Sequence, residues 1–150
     1  MNKLSGYLIK NASLVNDGQI KECDLLIKNG HIERIDSSIN QDKIQANIIE
    51  AKGSYVLPGV IDSQVHFREP GLIHKGDIKT ESMAAIAGGV TSYIDQPNTI
   101  PSAITILELE KKYLRASKVS WANYSFNLGA TNDNLEELKR ASKENIAGIK

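Results

Sequence analysis

The sequence predicts an α/β protein: a small antiparallel β domain over residues 1–54, then, over 55–150, the first three and a half βα units of a barrel. Three observations point there. Before Pro58, runs of extended-chain residues are separated by Asp17-Gly18 and Asn29-Gly30, dipeptides suited to the positive φ angles of tight hairpins. After Pro58, strand starts recur roughly every 30 residues, the size of a βα unit. Repeated right-handed βα units build either an open doubly wound sheet or a closed (β/α)8 barrel. No Gly-rich phosphate fingerprint follows the first of these strands, which weighs against a dinucleotide-binding sheet. A barrel needs eight units, so the chain reads as the front of a longer protein.

In order, Tyr7–Val15, Ile20–Lys28 and His31–Ile35 read as strands, and Ile48, Ile49 and Tyr55–Leu57 extend that signal. Asp77 is placed to cap a helix running to Ala87, with Gly88-Gly89 as its stop. Val90–Asp95 is the next strand, its β-branched content favouring the pleat. Ser102 is the expected cap of a second helix over 103–116 that carries Ile104, Leu107, Leu109 and Leu114. Val119–Leu128 supplies a third strand, with Trp121 in its core. Asn132 or Asp133 begins a third helix, in which Leu135 and Leu138 share a face. Ala147–Lys150 opens a fourth strand.

Composition narrows the function classes. Lys plus Arg equals Asp plus Glu at 18 each, with no basic stripe or acidic tail, which argues against nucleic acid or an anionic membrane as partner. Aromatics are 5 %, too few to stack single-stranded nucleic acid. The lone Cys23 builds no disulfide framework, so a reducing cytoplasm fits. Neither a signal-peptide core nor a membrane span is legible.

The chemistry concentrates in Pro58–Gly71, PGVIDSQVHFREPG, where an apolar run ends in Asp62, Gln64, His66, Arg68 and Glu69. In a strand, 64, 66 and 68 share one face, offering an amide, an imidazole and a guanidinium to one pocket. Imidazole is a good zinc ligand, and the guanidinium's planar fork of donors matches a carboxylate. Barrel enzymes place their sites at the carboxyl ends of the strands. His66 and Arg68 follow the first such strand, Asn98 follows the second, and Lys150 lies in the fourth.

PGVIDSQVHFREPGLIHKGDI, AAIAGGVTSYIDQPNT and the closing AGIK resemble the dihydroorotases of the amidohydrolase superfamily. LIKNASLVNDGQIKECDLLIKNGHIERI is similar to that superfamily's N-terminal sheet, so the resemblance covers the whole chain. It implies a metal-dependent barrel that reversibly cyclises N-carbamoyl-L-aspartate to L-dihydroorotate in pyrimidine biosynthesis, with one or two divalent ions, expected to be zinc. Residue by residue, His66 matches a metal histidine, Arg68 matches an arginine that grips the substrate carboxylate, Asn98 matches an asparagine that hydrogen-bonds the same substrate, and Lys150 matches a lysine carboxylated to bridge metals. The remaining metal histidines and a general-base aspartate are implied beyond residue 150, so the isolated chain is expected to be inactive; half a barrel, with two sheet edges unpaired and one face of its apolar strands uncovered, is also expected to be poorly stable.

Gln64 departs from the pattern, since the family usually has histidine there, and a neutral amide is the poorer zinc ligand. That departure keeps an alternative in view: a non-catalytic homologue serving as an assembly partner of aspartate transcarbamoylase. Another cyclic amidohydrolase, of the hydantoinase or allantoinase type, is the second alternative, and Arg68 argues against it. Oligomeric state is open, with a homo-oligomer compatible. His31 reads as a solvated strand residue, His74 with Lys75 as surface loop, and Cys23 as packing; Asp95 either bonds near the site or simply ends its strand.

Overall fold

The computed structural model describes residues 6–150, so residues 1–5 of the expected β domain lie outside the described residues. The chain divides into two compact units, Met1–Pro58 and Gly59–Lys150.

In the first unit, β1 (Gly6–Asn16), β2 (Gln19–Lys28) and β3 (His31–Asp36) form an antiparallel meander. Its turns are the two the sequence marks. Asp17 and Gly18, then Asn29 and Gly30, all take positive φ, which gives the twist a two-residue hairpin needs. The sheet is not purely antiparallel, as expected, but mixed. β4 (Asn47–Glu50) and β5 (Tyr55–Val56) both pair parallel to β1. The long connection after β3, with a 3-10 turn over Gln41–Lys43, carries the chain back to run alongside β1 rather than against it.

β1 bulges between Ile9 and Ala12, with Asn11 at φ 54°. Asp24 fills the bulge: its carboxylate accepts from Asn11 N at 2.9 Å, from Ile39 N at 2.8 Å and from Lys10 Nζ at 2.6 Å. Burial pushes this carboxyl's pKa up, but those donors outweigh it and hold the group below its ordinary value. Cys23 packs with Ala12 and Leu25, and Leu8, Leu26, Ile39 and Ala46 form a separate cluster.

The second unit is a parallel sheet in the order β6 (Val60–Val65), β7 (Val90–Asp95), β8 (Asn123–Leu128), β9 (Gly148–Ile149). Sequential order is that of a barrel wall; a doubly wound sheet would reverse direction at a switch point. α1 (Ile78–Ala87) is capped by Asp77, which accepts from Thr80 N, and stops at Gly88. α2 (Ile106–Val119) and α3 (Leu135–Arg140) make the next two crossovers. Ile78, Tyr93, Leu109, Ala116, Phe126 and Leu128 form the core between helices and sheet.

Three boundaries differ from expectation. α2 is capped by Thr105, not Ser102, because Ser102 Oγ instead bonds Thr99 O within a loop tied down at Ala103. That helix runs three residues further, to Val119, so β8 starts only at Asn123. Trp121 therefore precedes the strand and is 64 % exposed rather than core. Leu107 and Leu114 also face outward, while Leu109, Lys112 and Ala116 turn inward at helical spacing. α3 begins after Asn134, not Asn132 or Asp133; the Asn134 side chain bonds Thr131 N, Ile104 O and Gly129 O, tying two loops together.

Candidate active site

The candidate residues sit where β6, β7 and β9 end. Val65 packs toward the helices, so alternation turns Gln64 and His66 to the opposite face. The same face carries Asn127 and Gly148, since a Cβ on Gly148 would stand 3.2 Å from Asn127 Oδ1. Lys150 continues that alternation, its backbone bonded to Leu128 O and Ala130 N.

The shared strand face for 64, 66 and 68 does not survive. β6 ends at Val65, and its register against β7 slips between Asp62 and Val65. Arg68 then takes φ 70°, a left-handed conformation that ends any alternation. The cause lies in the turn that follows. Leu72 N bonds Arg68 O at 3.0 Å, and Gly71, with φ 82°, lies so close to Ile100 that a Cβ would meet its carbonyl oxygen at 2.0 Å.

Two strand-end loops are thereby locked together. Gln96 N bonds Val65 O at 3.1 Å, Ile100 N bonds Pro70 O at 3.1 Å, and Phe67 N bonds Asp95 Oδ1 at 3.0 Å. Across this seam His66 Nδ1 meets Asn98 Oδ1 at 2.9 Å. An amide oxygen only accepts, so Nδ1 carries the proton and a neutral His66 keeps its lone pair on Nε2. Asn98 is left with its Nδ2 donors for a further acceptor. His66 and Asn98 are thus brought together, with Arg68 two residues along. The Arg68 side chain makes no hydrogen bond or ion pair among the described residues. Nor does any such bond join Lys150 to His66 or Asn98; it lies three strands from the first and two from the second, and is exposed. Gln64 is exposed too, its backbone N bonded to Asp62 Oδ1. Glu69 faces elsewhere, accepting from Arg115 Nε at 2.6 Å and from Ile78 N at 2.9 Å.

Sequence reading missed Lys112. From α2 its ammonium stands 2.8 Å from Asp95 Oδ2, bonds Gln96 O at 3.0 Å and lies 4.8 Å from the Phe126 ring centroid. Both charged side chains are only 1 % exposed. The contact to Oδ2 lacks the alignment of a hydrogen bond and acts as an ion pair. Burial pushes the Lys112 pKa down, with Asp95 opposing. The available signal was a lysine at an inward helical position, three residues from Leu109 and four from Ala116.

No three His, Cys, Asp or Glu side chains among the described residues cluster closely enough to hold a metal ion. One imidazole, an exposed amide and a distant lysine do not make a metal site by themselves. No helix among the described residues is long and apolar enough to cross a membrane.

Over 131 residues the chain is 39 % identical to a dihydroorotase of Methanosarcina mazei, covering 87 % of this chain and 28 % of that protein. A dihydroorotase of Carboxydothermus hydrogenoformans is 45 % identical over 98 residues, which are 64 % of this chain and 22 % of the relative. This chain is related to the dihydroorotases. No family model matches it. Among solved structures, an L-hydantoinase from Arthrobacter aurescens superposes with TM-score 0.88 at 28 % identity, covering 97 % of this chain and 32 % of that one. The dihydroorotase-like chain thus spans about a quarter of the length of the curated relatives it matches.

Proposed function

We propose that this chain carries the substrate-carboxylate half of a dihydroorotase active site, in a protein that interconverts N-carbamoyl-L-aspartate and L-dihydroorotate. The observation that carries the reading is the His66–Asn98 hydrogen bond, which joins two strand-end loops beside Arg68. Relatives named dihydroorotase at 36–45 % identity support it. Arg68 offers a bidentate fork to the carboxylate, and Asn98, its oxygen engaged by His66, offers amide donors to the same group. The lone pair on His66 Nε2 is directed by the proton held on Nδ1. Such an arrangement binds and orients a small anionic substrate, which removes much of the entropic cost of reaction.

The resemblance implies one or two divalent ions, zinc, with His66, a carboxylated Lys150 and position 64 among the ligands. The described residues do not assemble that site, so the reading assigns its completion, and the general base, to further chain. A cytoplasmic place in pyrimidine biosynthesis belongs to the same proposal. Turnover of L-dihydroorotate by the full chain, with and without Arg68→Ala, is the test; equal catalytic efficiency removes Arg68 from the substrate site. Gln64 favours one second reading, a homologue without catalysis that assembles with a transcarbamoylase. A full chain that holds no metal and turns over no dihydroorotate would support that instead.

A further inference from the structure

Asp95 lies on the helix side of β7, with Tyr93, and so cannot share a pocket with His66 on the opposite face. Yet its carboxylate reaches past the strand end to the backbone N–H of Phe67, the residue between His66 and Arg68. Lys112 holds that carboxylate from below and grips the next carbonyl, Gln96 O, which fixes the start of the loop bearing Asn98. All of this is buried. A pair of well-packed apolar residues would serve stability as well as a buried ion pair does. Stability alone therefore does not account for charges here, whereas a hydrogen-bond acceptor placed under Phe67 N does something no apolar side chain can. Arg68 needs such help, because its left-handed backbone persists only where neighbours over-determine it. Phe67 N and Arg68 O, on either side of that φ, are both bonded.

We propose that Asp95, held by Lys112, is a positioning residue: it pins the backbone at Phe67 and thereby sets the directions in which His66 and Arg68 leave the chain. The inference rests on the reading above for the roles of His66 and Arg68, but the pinning itself does not. Two double variants of the full chain separate acceptor from charge. Asp95→Asn with Lys112→Met removes both charges and keeps an oxygen for Phe67 N; Asp95→Ala with Lys112→Met removes the acceptor as well.

Amide hydrogen exchange at Phe67 is the first readout. In the unaltered chain it is expected to be slowed about a hundredfold or more, although Phe67 lies outside any strand. The Asn variant should keep that protection and an unchanged KM for L-dihydroorotate. The Ala variant should lose about tenfold or more of the protection, raise KM, and leave the cooperative unfolding of the unit in place. A freely exchanging Phe67 amide in the unaltered chain overturns the proposal. So does a folded Asn variant that loses protection, or a folded Ala variant that keeps both protection and KM. Should the Ala variant fail to fold, exchange in the unaltered chain and in the Asn variant still decides. A chain that protects Phe67 but turns over no dihydroorotate would refute the functional reading and leave the pinning standing.

Discussion

Replacing Arg68 by glycine and, separately, by alanine should move activity and stability in different directions. At φ 70° a residue with a Cβ pays roughly 1–2 kcal/mol that glycine does not. Against that, glycine's extra unfolded-state freedom costs about 0.5–1 kcal/mol. The Arg68 side chain has no polar partner among the described residues, so truncating it forfeits little folding energy. Arg68→Gly should therefore unfold at the same urea concentration as the unaltered chain or a slightly higher one. Arg68→Ala, which retains the strained backbone, should fall below the glycine variant by up to about 1.5 kcal/mol. If Arg68 grips the substrate carboxylate as proposed, both lose that fork, worth about 2–5 kcal/mol when its partner is left unpaired in a desolvated site. That corresponds to a fall in kcat/KM of about thirtyfold to several thousandfold. Urea midpoints and steady-state kinetics on the full chain with L-dihydroorotate read both effects. A glycine variant destabilised by more than about 1 kcal/mol would refute the strain argument. Unchanged kcat/KM in both variants would refute the binding role.

Lys112→Met alone should cost about 3–5 kcal/mol in the unfolding of its unit, because it strands the buried Asp95 charge, whereas the Asp95→Asn, Lys112→Met pair should come close to neutral; chemical denaturation of the full chain separates them, and equal losses would contradict the ion-pair account. For Asp24, folding holds the carboxyl below its ordinary value of 3.8, so its stabilisation is complete above that pH and disappears as pH falls through the lowered folded value. Urea midpoints measured from pH 6 to 2 should show an acid-limb loss that Asp24→Asn flattens; parallel acid limbs for the two proteins would remove Asp24 from that loss. Gln64→His should raise the metal-to-protein ratio of the full chain measured by elemental analysis, an equal ratio meaning that position 64 does not limit binding. Lys150 should show a carbamate carbon by carbon-13 NMR after labelled bicarbonate in metal-loaded full chain, and a plain ammonium there would exclude it as a bridging ligand.

Local signals made much of the fold legible. Asp17-Gly18 and Asn29-Gly30 take the positive φ their hairpins require, and Asp77 and Gly88 bound α1 as caps and stops should. The mixed sheet was not legible, because whether β4 runs with or against β1 depends on the path of a long connection and not on either strand's residues. Ser102 and Thr105 are equally good caps by chemistry; tertiary bonds to the 97–104 loop chose between them. In the site, the proximity of His66 and Asn98 followed from placing both at strand ends. The left-handed Arg68 did not, since nothing in HFREPG distinguishes a continuing strand from one that turns until Gly71 meets the neighbouring loop. Asp95 looked ambiguous because its partner, Lys112, is 17 positions away on a helix whose exposed and buried faces the sequence left unresolved.

A site built for a carboxylate-bearing ring should tell L-dihydroorotate from hydantoin, a cyclic amide without the carboxylate, when the full, metal-supplemented chain is assayed on both. If Arg68 and Asn98 grip that group, kcat/KM should favour dihydroorotate by about thirtyfold or more, the lower end of the value of such a contact. Equal or better turnover of hydantoin would contradict the account, and so would a folded, metal-loaded protein that acts on neither.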